Sequence, residues 1–170
     1  MGLPDPRAEG SGNPGATNVL RLGGKVAAAV TLAGDMLKGV VPVMVAAQFS
    51  NSDFVLCSVA CVAFLGHLFP VFFQFRGGKG VATALGAICA LAWPVGLAVS
   101  FTWLLSALIC RYSSLSSMIC AVLAPLYAAL LHLPIASIVA IGLMSAFLIT
   151  RHRANISRLL KGQESRIGTK

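Results

Sequence analysis

A chain of 170 residues that is 57% hydrophobic and only 11% charged lies outside the composition of ordinary soluble domains. Its apolar residues come in membrane-length blocks, so a single integral membrane domain is expected over residues 1–170. The net charge of +8 could suit nucleic acid, but the basic residues flank those blocks, which argues against nucleic acid and for lipid headgroups or an anionic substrate.

The opening MGLPDPRAE has no apolar h-region, so no signal peptide is expected, and it lacks the Ser or Thr of a myristoylation site. GSGNPGATN follows at residues 10–18. The first apolar block runs from 26 to 49 and is interrupted by Asp35 and Lys38, whose i,i+3 spacing suits mutual neutralisation inside a bundle. A polar turn at 51–53 leads to an uncharged block, 54–75, in which His67 is expected to be a neutral interhelical hydrogen-bonding residue. The block 81–110 is too long for one upright span and too short for two full ones. Trp93-Pro94 divides it into two short helices, about 81–92 and 95–110. SSLSS at 113–117 reads as a capped start for a span over 118–131, HLP at 132–134 as a turn, and 135–149 as the last span. The fold class is therefore all-α, a polytopic transmembrane bundle of about six spans, two of them short. Residues 1–25 form an N-terminal loop, 26–149 the bundle and 150–170 a basic tail. The five cysteines show no metal-type clustering and read as small packing residues.

Six crossings put 1–25, 76–80, 111–117 and 150–170 on one face. Of the 13 Lys and Arg, all but Lys38 lie in or beside those stretches, and the opposite loops carry none. The positive-inside rule makes that face cytoplasmic.

Three polar motifs meet on this face. In GSGNPGATN, the glycines, Gly15 among them, leave backbone N–H groups uncovered. Ser11, Asn13, Thr17 and Asn18 add short donors, and Arg21 can grip phosphate. Alone, such a stretch would be a linker; its company changes the reading. In RGGKG, Gly77, Gly78, Lys79 and Gly80 lead into a helix start, a phosphate cradle without the Walker spacing, since Gly80 and not Ser or Thr follows Lys79. RHRANISRLL reads as an amphipathic cytoplasmic helix with His152 and Asn155 on one face. Glu164 reads as a structural ion-pair partner for the bases around it.

Together the three motifs resemble the bacterial acyl-phosphate-dependent glycerol-3-phosphate acyltransferases. GSGNPGATN, GGKGVAT and the RH, NI, RL, G and E pattern occur in that family's order, and YSSLSS at 112–117 is similar to its serine-rich segment. The resemblance implies acyl transfer from acyl phosphate to glycerol 3-phosphate, giving lysophosphatidate and phosphate, in phospholipid synthesis. It implies no cofactor and no metal. The partners it implies are the two substrates, membrane lipids and other enzymes of phospholipid synthesis. Ser11, Arg21, Lys79, His152 and Asn155 match polar positions of binding and catalysis, with Ser11, His152 and Asn155 as the catalytic set. Gly15, Ala16 and Thr17 match the loop near the acyl-phosphate phosphate, Gly77, Gly78 and Gly80 match the phosphate-loop glycines, and Ser116 or Ser117 faces the site. No H-x-x-x-x-D occurs, since Phe72, Ser137 and Ser157 stand five residues after His67, His132 and His152, which argues against the thioester-using acyltransferases. The proton acceptor is His152 or a substrate phosphate oxygen. Family members carry an apolar span before the first motif, and the chain is expected to lack it, leaving the first loop poorly braced. The rival readings are a small transporter of an anionic phosphorylated metabolite and an inactive remnant.

Overall fold

The computed structural model describes residues 4–168, and all regular structure among them is helical. In chain order the helices are α1 (Ala16–Ala46), α2 (Asp53–Leu68), α3 (Val81–Leu91), α4 (Trp93–Cys110), α5 (Ser113–Leu130), α6 (Ile135–Arg151) and α7 (Arg153–Leu160). A short 3₁₀ turn, Val71–Phe73, follows α2.

Polarity is distributed as a bilayer demands. Phe49, Phe101, Leu108, Ile109 and Ile135 point outward, while Asn18, Asp35, Thr83, Ser116, His152 and Asn155 are buried. By length and composition, four stretches can cross a bilayer: Ala16–Ala46, Asp53–Phe73, Trp93–Cys110 and Ser113–Leu130. The bent pair α6–α7 makes a fifth. With 11 residues, α3 cannot cross alone. The expected six crossings thus become four or five spanning stretches plus one short apolar helix.

Three boundaries differ from the sequence reading, each for a local reason. First, α1 begins at Ala16, so the last three residues of GSGNPGATN are helix. The chain then breaks at Gly24, whose φ of 77° leaves the helical region, and the spanning part follows from there. Second, the division of 81–110 falls at Ala92 (φ −156°, ψ 86°), and Trp93-Pro94 forms the first turn of α4. Proline costs nothing there because its missing N–H would have been unpaired anyway. With 18 residues, α4 is long enough to cross, so α3 alone is short among the pair. Third, SSLSS lies inside α5, whose N-cap is Tyr112, and no side chain caps it.

The main packing contacts run α1 on α3, α4 on α5, α5 on α6, and α2 against α1, α3 and α6. The core is small-residue rich and centres on Val43, Phe64, Leu68, Ala87, Val95 and Ile141. Backbones approach closely where α1 crosses α3. A Cβ on Gly39 would meet the Thr83 carbonyl, and one on Gly86 would meet that of Met36. That approach lets the Thr83 hydroxyl donate to the Asp35 carbonyl at 2.9 Å.

Candidate active site

The starts of α1, α3 and α5 and the α6–α7 corner converge at one end of the bundle. The Thr17 and Ser113 hydroxyls lie 3.1 Å apart, joining the first motif to α5. Ser114 donates to Glu164 at 2.5 Å, bringing in the tail. Lys79 donates to the Asn155 side-chain oxygen at 2.6 Å, linking the second motif to the third. All three motifs therefore share one site, with the N-termini of α1 and α3 and the cations Arg21 and Lys79 as its anion-attracting groups.

The bend between α6 and α7 measures 56° and places His152 at its corner, 2% exposed. His152 Nδ1 lies 2.8 Å from the Leu148 carbonyl. A carbonyl only accepts, so Nδ1 carries the proton and Nε2 keeps a lone pair. Burial pushes the His152 pKa down to about 4, the Leu148 hydrogen bond opposes that, and Lys79 adds to it. The imidazole is neutral at pH 7.

Asn155 is the hub of the site. Its oxygen accepts from Lys79, and its nitrogen donates to Glu164 at 2.6 Å. Glu164 also accepts from Arg158 Nε at 2.7 Å, the expected ion pair. Burial raises the Glu164 pKa, but the hydrogen bonds from Ser114, Asn155 and Arg158 outweigh it and hold the carboxyl below its usual range. Lys79 is left short of anions. Burial lowers its pKa to about 8, Glu164 opposes that, and Arg158, Arg21 and Arg151 lower it further. A bound phosphate would relieve that excess of positive charge.

The other expected site residues divide in two. The Ser11 hydroxyl is exposed and has no partner among the described residues; Arg21 is exposed; Asn13 and Gly15 are half-buried beside each other; Ala16 and Thr17 open α1. Gly77 and Gly80 flank the second motif, and Gly80 caps α3 with a φ of 84°. Asn18, Ser116 and Ser117 make their hydrogen bonds within the fold. Asn18 is buried and braces the first loop: its oxygen accepts from the Ser11 N–H at 2.9 Å, and its nitrogen donates to the carbonyls of Pro6 and Glu9. Ser116 donates to the Tyr112 carbonyl. Ser117 donates to that of Ser113 and accepts from Trp103 Nε1 at 3.1 Å. The first loop, expected to be weakly braced, has a brace of its own in Asn18.

Sequence reading missed Ser113, Ser114 and Arg151. Treating SSLSS as a cap set the wrong register, and a helix from Ser113 would have turned the first two serines toward the site. Arg151 stands in the sequence reading only among the basic residues of that face, yet its Nη2 donates to the carbonyls of Gly77 and Gly78 at 3.1 and 3.3 Å. On α1, the buried Asp35 pairs at 2.7 Å with Lys38, whose side chain is exposed, and His67 Nδ1 stands 3.6 Å from the same carboxylate oxygen.

Residues 1–162 match the family model described as glycerol-3-phosphate acyltransferase. The chain is 55% identical over 170 residues to the glycerol-3-phosphate acyltransferase of Methylococcus capsulatus, covering all of this chain and 86% of that one. It is 56% identical to that of Thioalkalivibrio sulfidiphilus, covering 99% and 83%. Among solved structures it is similar to PlsY, an integral membrane glycerol 3-phosphate acyltransferase, in its glycerol 3-phosphate form. The TM-score there is 0.94 at 42% identity, covering 98% of this chain and 84% of that one. The lysophosphatidic acid form matches with a TM-score of 0.90.

Proposed function

Because this chain belongs to the glycerol-3-phosphate acyltransferase family, we propose that the site at the end of its bundle performs acyl transfer from acyl phosphate to glycerol 3-phosphate. The protein is an integral membrane acyltransferase of phospholipid synthesis. The donor, the residue roles and the cytoplasmic, inner-membrane placement of the site are this reading's own.

In the reaction, a glycerol 3-phosphate hydroxyl attacks the carbonyl carbon of the acyl phosphate. The new C–O ester bond forms, the C–O bond to phosphate breaks, and inorganic phosphate leaves with the electron pair. An acyl phosphate is a mixed anhydride with a good leaving group. The protein's main work is thus to hold two phosphates close despite their repulsion and to align the hydroxyl. The α3 start with Gly77, Gly78, Lys79 and Gly80 suits one phosphate. The α1 start with Ser11, Asn13, Gly15, Ala16, Thr17 and Arg21 suits the other. Asn155 holds Lys79 in place, and His152 Nε2 can accept a hydrogen bond from the attacking hydroxyl. With a pKa of about 4, His152 is a poor general base at neutral pH, so the proton goes to a phosphate oxygen.

The observation that carries this reading is the Lys79–Asn155 hydrogen bond, which joins the glycine loop to the third motif beside the paired helix starts. Purified protein in proteoliposomes, given labelled glycerol 3-phosphate and an acyl phosphate, should form labelled lysophosphatidate. Uptake of label without acylation would replace this reading with transport.

A further inference from the structure

The second motif is gripped from two sides by residues outside it. On one side is His67 of α2, whose side chain is 9% exposed and whose ring lies against Gly78. A Cβ on Gly78 would collide with His67 Nε2 before any other atom. The ring is backed by the buried Asp35 carboxylate, 3.6 Å from Nδ1, and Lys38 holds that carboxylate at 2.7 Å. The Thr83 hydroxyl ties the Asp35 backbone to the first turn of α3. The platform under Gly78 is thus built from α1, α2 and α3 together.

On the other side is Arg151, at the end of α6. Its Nη2 takes the carbonyls of both Gly77 and Gly78, and its guanidinium lies 5.7 Å over the Phe69 ring. In a trans peptide the carbonyl and the following N–H point in opposite directions. Drawing the Gly77 and Gly78 carbonyls to Arg151 therefore turns the N–H groups of Gly78 and Lys79 away from it. Those two N–H groups find no acceptor among the described residues, although Gly78 is buried. Both N–H groups are therefore free to donate to an anion's oxygen as their hydrogen-bond partner.

We propose that His67 and Arg151 are positioning residues for acyl transfer, gripping Gly78 from its Cα side and its carbonyl side so that the Gly78 and Lys79 amides face the phosphate of glycerol 3-phosphate. This rests on the reading of the glycine loop as a phosphate site. Gly78 must be glycine because the His67 ring occupies the place of a side chain. Neither residue is required to touch substrate.

The test is a mutant cycle read in KM and kcat for glycerol 3-phosphate, with the full chain in proteoliposomes. His67→Ala should raise KM about tenfold and change kcat less than about threefold, the pattern of lost binding alone. Gly78→Ala should lower kcat/KM about a hundredfold against native His67, but less than about threefold further in the His67→Ala background, because the ring it strikes is gone. Losses that multiply would overturn the brace. Should His67→Ala not fold, His67→Asn vacates the outer ring edge and serves in the same cycle. Arg151→Met should raise KM in the same direction and Arg151→Lys should restore part of it. An Arg151→Met protein that is only less heat-stable, with KM unchanged, would also overturn the brace. Lys79→Met separates the two ideas. An unchanged KM there would sink the phosphate-loop reading, whereas a raised KM with multiplying losses in the cycle would sink the brace alone.

Discussion

Lys79 and His152 set the pH behaviour of the site in different ranges. In the free protein Lys79 titrates at about 8, so its charge is present below that pH and lost above it. A bound phosphate favours the charged form, so the loss should appear in kcat/KM for glycerol 3-phosphate, which reports the free protein, more than in kcat. We expect KM to rise by about tenfold between pH 7.5 and 9.5, and the Lys79→Arg variant, which keeps its charge, to lose that limb. A KM that is flat to pH 9.5 in the native protein would contradict this assignment. His152 behaves oppositely. Its folded-state pKa of about 4 lies below the ordinary 6.5, so between those values the unfolded chain binds a proton that the folded one refuses. Stability is full above about pH 6.5 and falls as pH drops toward 4. The midpoint of heat unfolding should therefore drop on acidification through that window, and less so in His152→Gln. Substantial rate retained in His152→Ala, with an unchanged acidic limb, would fit a phosphate oxygen as proton acceptor. Residue identities at this scale were legible in the sequence, as Lys79, His152 and Asn155 stand in motifs that announce anion chemistry. Their partners were not. The roles of Asn18, Ser114 and Arg151 depend on which carbonyl or carboxylate lies across the fold, and spacing along the chain carries no record of that.

At the scale of the helices, the close crossing of α1 and α3 matters most to the site. Gly39 and Gly86 let the two backbones meet, and α3 carries the glycine loop at its start. A side chain at Gly86 must push against the Met36 carbonyl, which is backbone and cannot swing aside. Gly86→Val should cost about 1–3 kcal/mol and lower the temperature of half-inactivation, with a loss of glycerol 3-phosphate affinity as α3 shifts. Gly142, where an added Cβ would meet nothing, is the control: Gly142→Ala should be neutral or mildly stabilising. Hydropathy located every one of the apolar helices but misjudged their ends. The chain before residue 26 is too polar to read as a span, yet it is helical from Ala16 because a helix start needs no apolar character. The break near residue 93 was legible as a proline signal and misplaced because that proline opens a helix instead of closing one. The serine run was misread because hydroxyls that cap a helix and hydroxyls that bond back to i−4 carbonyls inside one look the same in sequence.

For the whole molecule, the contacts among the first motif, α5 and the tail place the glycine stretch and residues 152–164 at one end of the bundle. The turn at residues 50–53 joins α1 and α2 at their other ends, and it carries no Lys or Arg. The site end, by contrast, gathers Arg21, Lys79, Arg111, Arg151, Arg158 and their neighbours. That asymmetry is what supports the proposed cytoplasmic orientation of the site end. The proposed orientation makes one prediction. Single cysteines placed at Asn13 and Gln163, in a chain with its five native cysteines replaced, should be modified by an impermeant thiol reagent in inverted vesicles and protected in intact cells. A cysteine at Asn51 should show the reverse. If Asn13 and Gln163 are labelled from opposite sides, the three motifs cannot form one site and the acyl-transfer geometry fails with them. If all three positions keep the expected relation but the signs are exchanged, the bundle and its site survive and only the cytoplasmic placement falls.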